Sequence, residues 1–261
     1  MKYYRILILL SIIFIFSSFQ TLNDSKFHVK TIVIDAGHGG KDPGAMSAGI
    51  KEKDVALSMA KKLGKIIEEN MNDVKVIYTR KTDVFIGLYE RARIANNQSA
   101  NVFISIHCNA EKTRSAYGTE TFVMGVHKND KNLAVAMKEN SVIKMEKNYL
   151  DKYDGFDPTS PEAHIIFSLV QNAYTEQSLN LASKIEDQFK NRTQRKSRGV
   201  KQAGFLVLWE TTMPSVLIET GFLSNANERK YLTSDIGQVY IASAIFRAFR
   251  DFKAELEENA N

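Results

Sequence analysis

Thr31-Ile32-Val33-Ile34-Asp35-Ala36-Gly37-His38-Gly39-Gly40 is the stretch that decides how this chain is read. A β-branched apolar run broken by glycines predicts a buried strand that ends in a tight turn. A histidine on that turn lies where open α/β sheets place their ligands, beyond the carboxyl end of a strand. Two further runs end the same way: Asn101-Val102-Phe103-Ile104-Ser105-Ile106 delivers His107, and Ser215-Val216-Leu217-Ile218 delivers Glu219. Between the first two runs, Val55, Met59, Leu63, Ile66 and Ile67 are spaced for one buried helical face. Val74–Tyr78 then reads as a strand and Leu88–Ala95 as a helix. This alternation predicts an α/β fold, a mostly parallel sheet with helices on both faces.

The rhythm breaks between residues 125 and 178. A helical run, Lys131–Lys147, is followed there by a loop, Asp154–Pro161, and the stretch reads as a helical insertion on the core. A helix near Ser178–Phe189, a basic turn at Arg192–Arg198 and a closing helix at Gln238–Phe252 complete the pattern. Residues 30–253 are thus expected to form one domain, preceded by a polar linker at 21–29 and followed by a tail at 254–261.

Composition sets limits on function. Met1-Lys2-Tyr3-Tyr4-Arg5 is a basic start, and Ile6–Phe16 is apolar apart from Ser11. A bilayer-spanning helix needs about 20 apolar residues, so residues 1–20 read as a secretory signal peptide or an N-terminal anchor. A membrane contact is expected only through that segment, if it is retained. The formal net charge of +5 falls to +3 without Lys2 and Arg5, too little to imply a nucleic-acid partner. Cys108 is the only cysteine, so an exported form has no internal disulfide and relies on core packing.

Glu52 opens the first amphipathic helix, fourteen residues after His38. Strand, turn and helix fold back on each other, so His38, Glu52 and His107 are candidates for a two-histidine, one-carboxylate set. Three protein ligands and an open position are what catalytic zinc requires. Glu219 is then placed to move a proton as a non-ligating acid/base, and Asp35 is a candidate acceptor behind a ligating histidine. Structural histidines at strand ends are the competing reading, and pattern alone leaves the two level. His28, His127 and His164 have no comparable setting and read as surface or packing residues. Cys108 should point to the other face of its strand from His107, as a buried inert thiol.

These residues sit in segments that resemble the zinc-dependent N-acetylmuramoyl-L-alanine amidases. The segments are Ile34–Gly44, Lys51-Glu52, Tyr78-Thr79-Arg80 with Asp83, Leu88 with Arg91, Ala95-Asn96, Ser105–Ala110 and Ser215–Asn225, in family order from about Lys30 to Phe252. The resemblance implies a twisted, mostly parallel sheet flanked by helices, with residues 30–253 as the catalytic domain. It implies one Zn2+ per chain on His38, Glu52 and His107, with Glu219 as catalytic acid/base and Arg91 and Asn96 shaping the site. The implied reaction cuts the amide between the lactyl group of N-acetylmuramic acid and L-alanine in peptidoglycan.

Exported relatives, common in Gram-negative bacteria, carry an insertion between the His107 and Glu219 strands, and in them a helix covers the zinc. By that resemblance Lys131–Lys147 is the inhibitory helix, Glu139 its zinc contact and Glu146 the second candidate. Val135, Glu139, Val142 and Glu146 share one helical stripe. An ordinary amphipathic surface helix is the alternative. The resemblance further implies a periplasmic enzyme and an activator protein that displaces the helix. A zinc peptidase on stem peptides and a non-catalytic wall-binding module are the rival functions.

Overall fold

The computed structural model describes residues 27–169 and 173–260, so the apolar N-terminal run, with its signal-peptide or anchor reading, lies outside the described residues. Strand β1 (Thr31–Ala36) shows why the molecule is layered. Ile32, Ile34 and Ala36 enter one apolar cluster and Val33 enters another, all at 0% exposure. Side chains alternate along a strand, so a strand buried on both faces must be apolar nearly throughout.

Five more strands complete the sheet: β2 (Lys75–Tyr78), β3 (Val102–Asn109), β4 (Thr119–Met124), β5 (Ser197–Ala203) and β6 (Ser215–Phe222), in the order β2-β1-β3-β6-β4-β5. The first four in that order are parallel; β4 runs antiparallel to β6 and pairs in parallel with β5. The longer helices are α1 (Glu52–Asn70), α2 (Leu88–Asn97), α3 (Asp130–Asn140), α4 (Pro161–Ser168), α5 (Thr175–Asn191), α6 (Ala226–Thr233) and α7 (Asp235–Asn259). One face of the sheet is covered by α1, α5 and α7. The other is covered by α2 and by Ala136, Val142, Ile143, Tyr153 and Phe167 of the insertion, which therefore shares the core. Among the described residues no helix is long and apolar enough to cross a membrane.

The mostly parallel, helix-flanked sheet matches the expectation, while several elements do not: α4 begins at Pro161, where a loop is expected, and α7 runs on to Asn259 through the expected tail. Strands β4 and β5 and helices α4 and α6 are additions. Strand β5, Ser197-Arg198-Gly199-Val200-Lys201-Gln202-Ala203, is a half-buried edge without apolar alternation, so periodicity gives no signal. In β4 the buried residues Thr119, Glu120 and Thr121 look like a loop in sequence, and only distant partners make them tolerable. Asn109, Arg198 and Lys201 serve Glu120, while both threonine hydroxyls donate to Glu186.

The helix expected over Lys131–Lys147 is also corrected. It stops at Asn140 and continues as a tighter 3-10 turn, Ser141–Met145. The Asn140 amide leaves the helix for Gly204 O (2.7 Å) and Leu206 N (2.9 Å), and Ser141 Oγ turns back to Lys138 O (2.6 Å). Such side-chain bonds compete with the helical ladder.

Glu186 supplies a pH test of this core. Burial pushes its carboxyl above the ordinary 4.5, against the opposing hydroxyl bonds from Ser197, Thr121 and Thr119. The folded state therefore holds this proton more tightly than the unfolded chain does. Its contribution is fully present below the unfolded value and is lost as pH rises through the folded one. Glu186→Gln is expected to remove that loss, so thermal melts at pH 5 and pH 8 should differ less than in the wild type. An unchanged difference would count against it.

Candidate metal centre

Three parallel neighbours, β1, β3 and β6, end side by side. Ala36 pairs with Ile106 and His107 with Glu219, so the carboxyl ends carry their polar residues to one edge. His38 follows β1 at φ +60°, a left-handed conformation that a side chain rarely adopts. Two buried arginines hold the turn. Arg91 donates to Asp35 Oδ1 (2.7 Å), Ala36 O (2.8 Å) and His38 O (2.8 Å). Arg80 donates to Ala36 O (3.0 Å), Gly37 O (2.8 Å) and Lys53 O (2.7 Å). Gly37 leaves room for the His107 ring, whose atoms would lie 2.4–2.8 Å from an added Cβ.

Glu52 is the first residue of α1 and is fully buried. Two backbone amides aim its carboxylate: Ala45 N donates to Oε2 (2.7 Å) and Cys108 N to Oε1 (2.9 Å). Oε1 lies 3.1 Å from both His38 Nε2 and His107 Nδ1. Glu139, from the C-terminal turn of α3, completes the group with Oε2 at 3.2 Å from His38 Nε2 and 3.1 Å from His107 Nδ1. The four ligand atoms lie within 4.8 Å of one another. Zinc with bonds of about 2.1 Å would set tetrahedral ligand spacings of about 3.4 Å, and the four close pairs at 3.1–3.2 Å fit such an ion.

Electrostatics supports the same reading. His38 Nε2 and Glu139 Oε2 are buried with no aligned hydrogen-bond partner. Burial disfavours charge on both histidines, yet the surrounding carboxylates override it, raising His38 well above its ordinary range and His107 to about 9. The cluster therefore demands positive charge, which a divalent cation supplies in compact form.

Glu219 lies beside this group, fully buried, and neither carboxylate oxygen has a hydrogen-bond partner. Burial, reinforced by Glu139 and Glu52, raises its pKa well above the usual carboxylate value. A buried carboxyl that holds its proton more tightly than usual is suited to acid/base work. Over the cluster, His38, Asp42, Leu88, Arg91, His107, Glu139 and neighbouring residues line a cavity of only about 10 Å³. That is barely room for one water.

Several residues fall elsewhere than the sequence reading had them. Asp35 is not behind a ligating histidine: it takes Arg91 Nη1, Thr79 Oγ1 (2.6 Å) and Ser105 Oγ (2.6 Å). Asp42 fills that role, with Oδ2 2.7 Å from His38 Nδ1, and the four-residue interval within the glycine turn was its available signal. Asn96 sits at the far end of α2, joined to Glu210 O and to Thr212, so it shapes the loop before β6 and not the cluster. Glu146 lies beyond the helix end, where its Oε1 accepts from Leu88 N (2.8 Å) and Tyr153 OH (2.8 Å). Lys138 had no signal, since a lysine on an amphipathic helix reads as solvated. Its ammonium instead reaches Glu139 Oε1 at 2.8 Å. Cys108 is buried with Sγ 3.2 Å from Thr220 Oγ1, and burial holds its thiol protonated.

Comparison with known proteins follows the same outline. The N-acetylmuramoyl-L-alanine amidase family model matches residues 32–251. The N-acetylmuramoyl-L-alanine amidase AmiA of Escherichia coli K12 is 34% identical over 220 residues, covering 83% of this chain and 73% of its own. The crystal structure of an N-acetylmuramoyl-L-alanine amidase from Clostridium difficile 630 superposes with a TM-score of 0.65 at 29% identity, over 87% of this chain and 97% of that one. The CwlD amidase of Clostridioides difficile, solved in complex with the GerS lipoprotein, gives a TM-score of 0.64 at 29% identity, over 87% and 99%.

Proposed function

The chain belongs to the N-acetylmuramoyl-L-alanine amidase family, and from that premise we propose that one zinc ion on His38, Glu52 and His107 serves its hydrolysis of peptidoglycan. The enzyme is an amidase acting on the bond between the muramic acid lactyl group and L-alanine. Zinc in such a site polarises a carbonyl and brings the pKa of a water to about 7. The rest is the work of the chain's own residues. Asp42 holds the His38 ring, the amides of Ala45 and Cys108 hold Glu52, and Arg91 and Arg80 hold the turn. Glu219 takes a proton from the attacking water and passes it to the departing nitrogen. The observation that carries this reading is the four-atom cluster beside a carboxyl with both oxygens free.

The test is product analysis on purified peptidoglycan. Muramyl glycan with intact stem peptides supports the amidase chemistry, whereas shortened stems would mean a zinc peptidase. Binding without products in the opened variant described next would leave a wall-binding module. Removing metal with a chelator should end hydrolysis, and one equivalent of zinc should restore it.

We further propose that α3 is an inhibitory helix with Glu139 as its zinc contact. Its support is the position of Oε2 against both imidazoles and the near absence of space above them. Glu139→Ala is expected to raise hydrolysis without an activator by about tenfold or more, since a charge-assisted contact is worth about 1.5–3 kcal/mol. Unchanged activity in the folded variant would sink the assignment. An activator protein would act by binding the displaced form more tightly. The relative solved with a lipoprotein supports a partner of some kind. Peptidoglycan lies outside the cytoplasmic membrane, so the reading places the enzyme in the periplasm after export.

A further inference from the structure

Lys138 is a lysine turned inward. Its side chain is 35% exposed, yet the ammonium leaves water for Glu139 Oε1 at 2.8 Å and lies 3.7 Å from Glu52 Oε2. Lysines at surfaces normally direct the charged end outward and bury only the stem. Asn140, the next residue after Glu139, is clamped to Gly204 and Leu206, so three consecutive residues engage the site and its rim. Successive helical residues point about 100° apart, so this is the contact of a helix end and not of a helix side.

Chemistry gives the pair its meaning. Hydrolysis joins a neutral amide and water, breaks the C–N bond, and leaves a carboxylate on the lactyl side and an ammonium on the alanine side. Adjacent residues of α3 bring a carboxylate and an ammonium into the same site, in contact with each other. Glu139 alone would change the charge of the buried site by one; Glu139 paired with Lys138 at 2.8 Å leaves it unchanged.

We propose that Lys138 and Glu139 together imitate the two products of the reaction, the Lys138 ammonium standing for the alanine-side ammonium and the Glu139 carboxylate for the lactyl-side carboxylate. The proposal rests on the amidase reading and on α3 being inhibitory, and it adds to them a specific role for the lysine. Lys138 positions the plug; it is not a catalytic residue.

The experiment uses the zinc-loaded full chain and reads hydrogen–deuterium exchange across α3, with metal content and hydrolysis alongside. Lys138→Ala should speed exchange in α3 by about tenfold at unchanged zinc content and raise hydrolysis without an activator. Propylammonium or L-alaninamide, each able to refill the vacated ammonium position, should slow the exchange again. Tetramethylammonium, with the charge but no N–H donor, should not. Lys138→Met, which keeps the stem, serves if the alanine variant fails to fold. Unchanged exchange in both variants, or a loosened helix that neither primary amine resettles, would overturn the proposal. If Glu139→Ala loosens α3 while both lysine variants do not, this proposal fails and inhibition by α3 stands. If Glu139→Ala also changes neither exchange nor hydrolysis, the inhibitory reading itself falls.

Discussion

Glu219→Gln, made in the opened Glu139→Ala background, is expected to lower hydrolysis by about 10²–10⁴-fold while the zinc content stays at one per chain. Glutamine keeps the shape of the side chain and removes its ability to accept a proton. The carboxyl it replaces is fully buried with both oxygens unpartnered, so no hydrogen bond is lost with it. Burial and Glu52, both still present in that background, raise its pKa, which means the folded protein bears a cost for its charge. Stability should therefore hold or rise as activity falls. That opposite movement separates a proton carrier from a residue that merely supports the fold. Hydrolysis within tenfold of the Glu139→Ala parent would remove Glu219 from the mechanism.

Arg91→Met is expected to cost about 3–5 kcal/mol of stability, the usual penalty for breaking a buried ion pair by removing one partner. Arg91 and Asp35 are 2% and 0% exposed and meet at 2.7 Å. Methionine fills much of the arginine's volume but leaves the Asp35 carboxylate with only the Thr79 and Ser105 hydroxyls. It also removes the bonds to Ala36 O, His38 O and Ile86 O that hold His38 at φ +60°. If His38 holds zinc as proposed, zinc affinity should fall with stability, because His38 loses its fixed turn. Arg91→Lys should rescue little, since a single ammonium cannot reach four acceptors arranged for a planar fork. Urea unfolding measures the first effect and competition with a chelator the second. A loss below about 1 kcal/mol would show that the neighbouring Arg80 suffices.

Glu219 and Arg91 also mark how far the chain could be read before folding. The apolar runs before His38, His107 and Glu219 carry period-two or fully buried signals that survive in any window of sequence, because a strand's environment is written in its own side chains. Helix α1 carries its amphipathic spacing in the same local form, and Glu52 at its first residue is located by it. These local signals point to His38, Glu52, His107 and Glu219 together. Residues that act on partners far along the chain left no such trace. Strand β4 hides buried Thr119, Glu120 and Thr121 behind a polar sequence, because Glu186 and Arg198 satisfy them from 65 to 78 residues away. Asp35 looked like a histidine's acceptor until Arg91, 56 residues on, claimed it.

By itself the sequence determined the parallel core, the edge at which its strands end and the residue types gathered there, since each follows from local periodicity and a turn that only certain residues permit. Tertiary structure alone decided that Arg91 takes Asp35, that Glu146 leaves the cluster for the start of α2, and that Lys138 turns inward to meet Glu139. The reason is physical. Burial of an apolar side chain is a property of the pattern around it, whereas a charged side chain goes wherever an opposite charge or a free donor has been folded into reach.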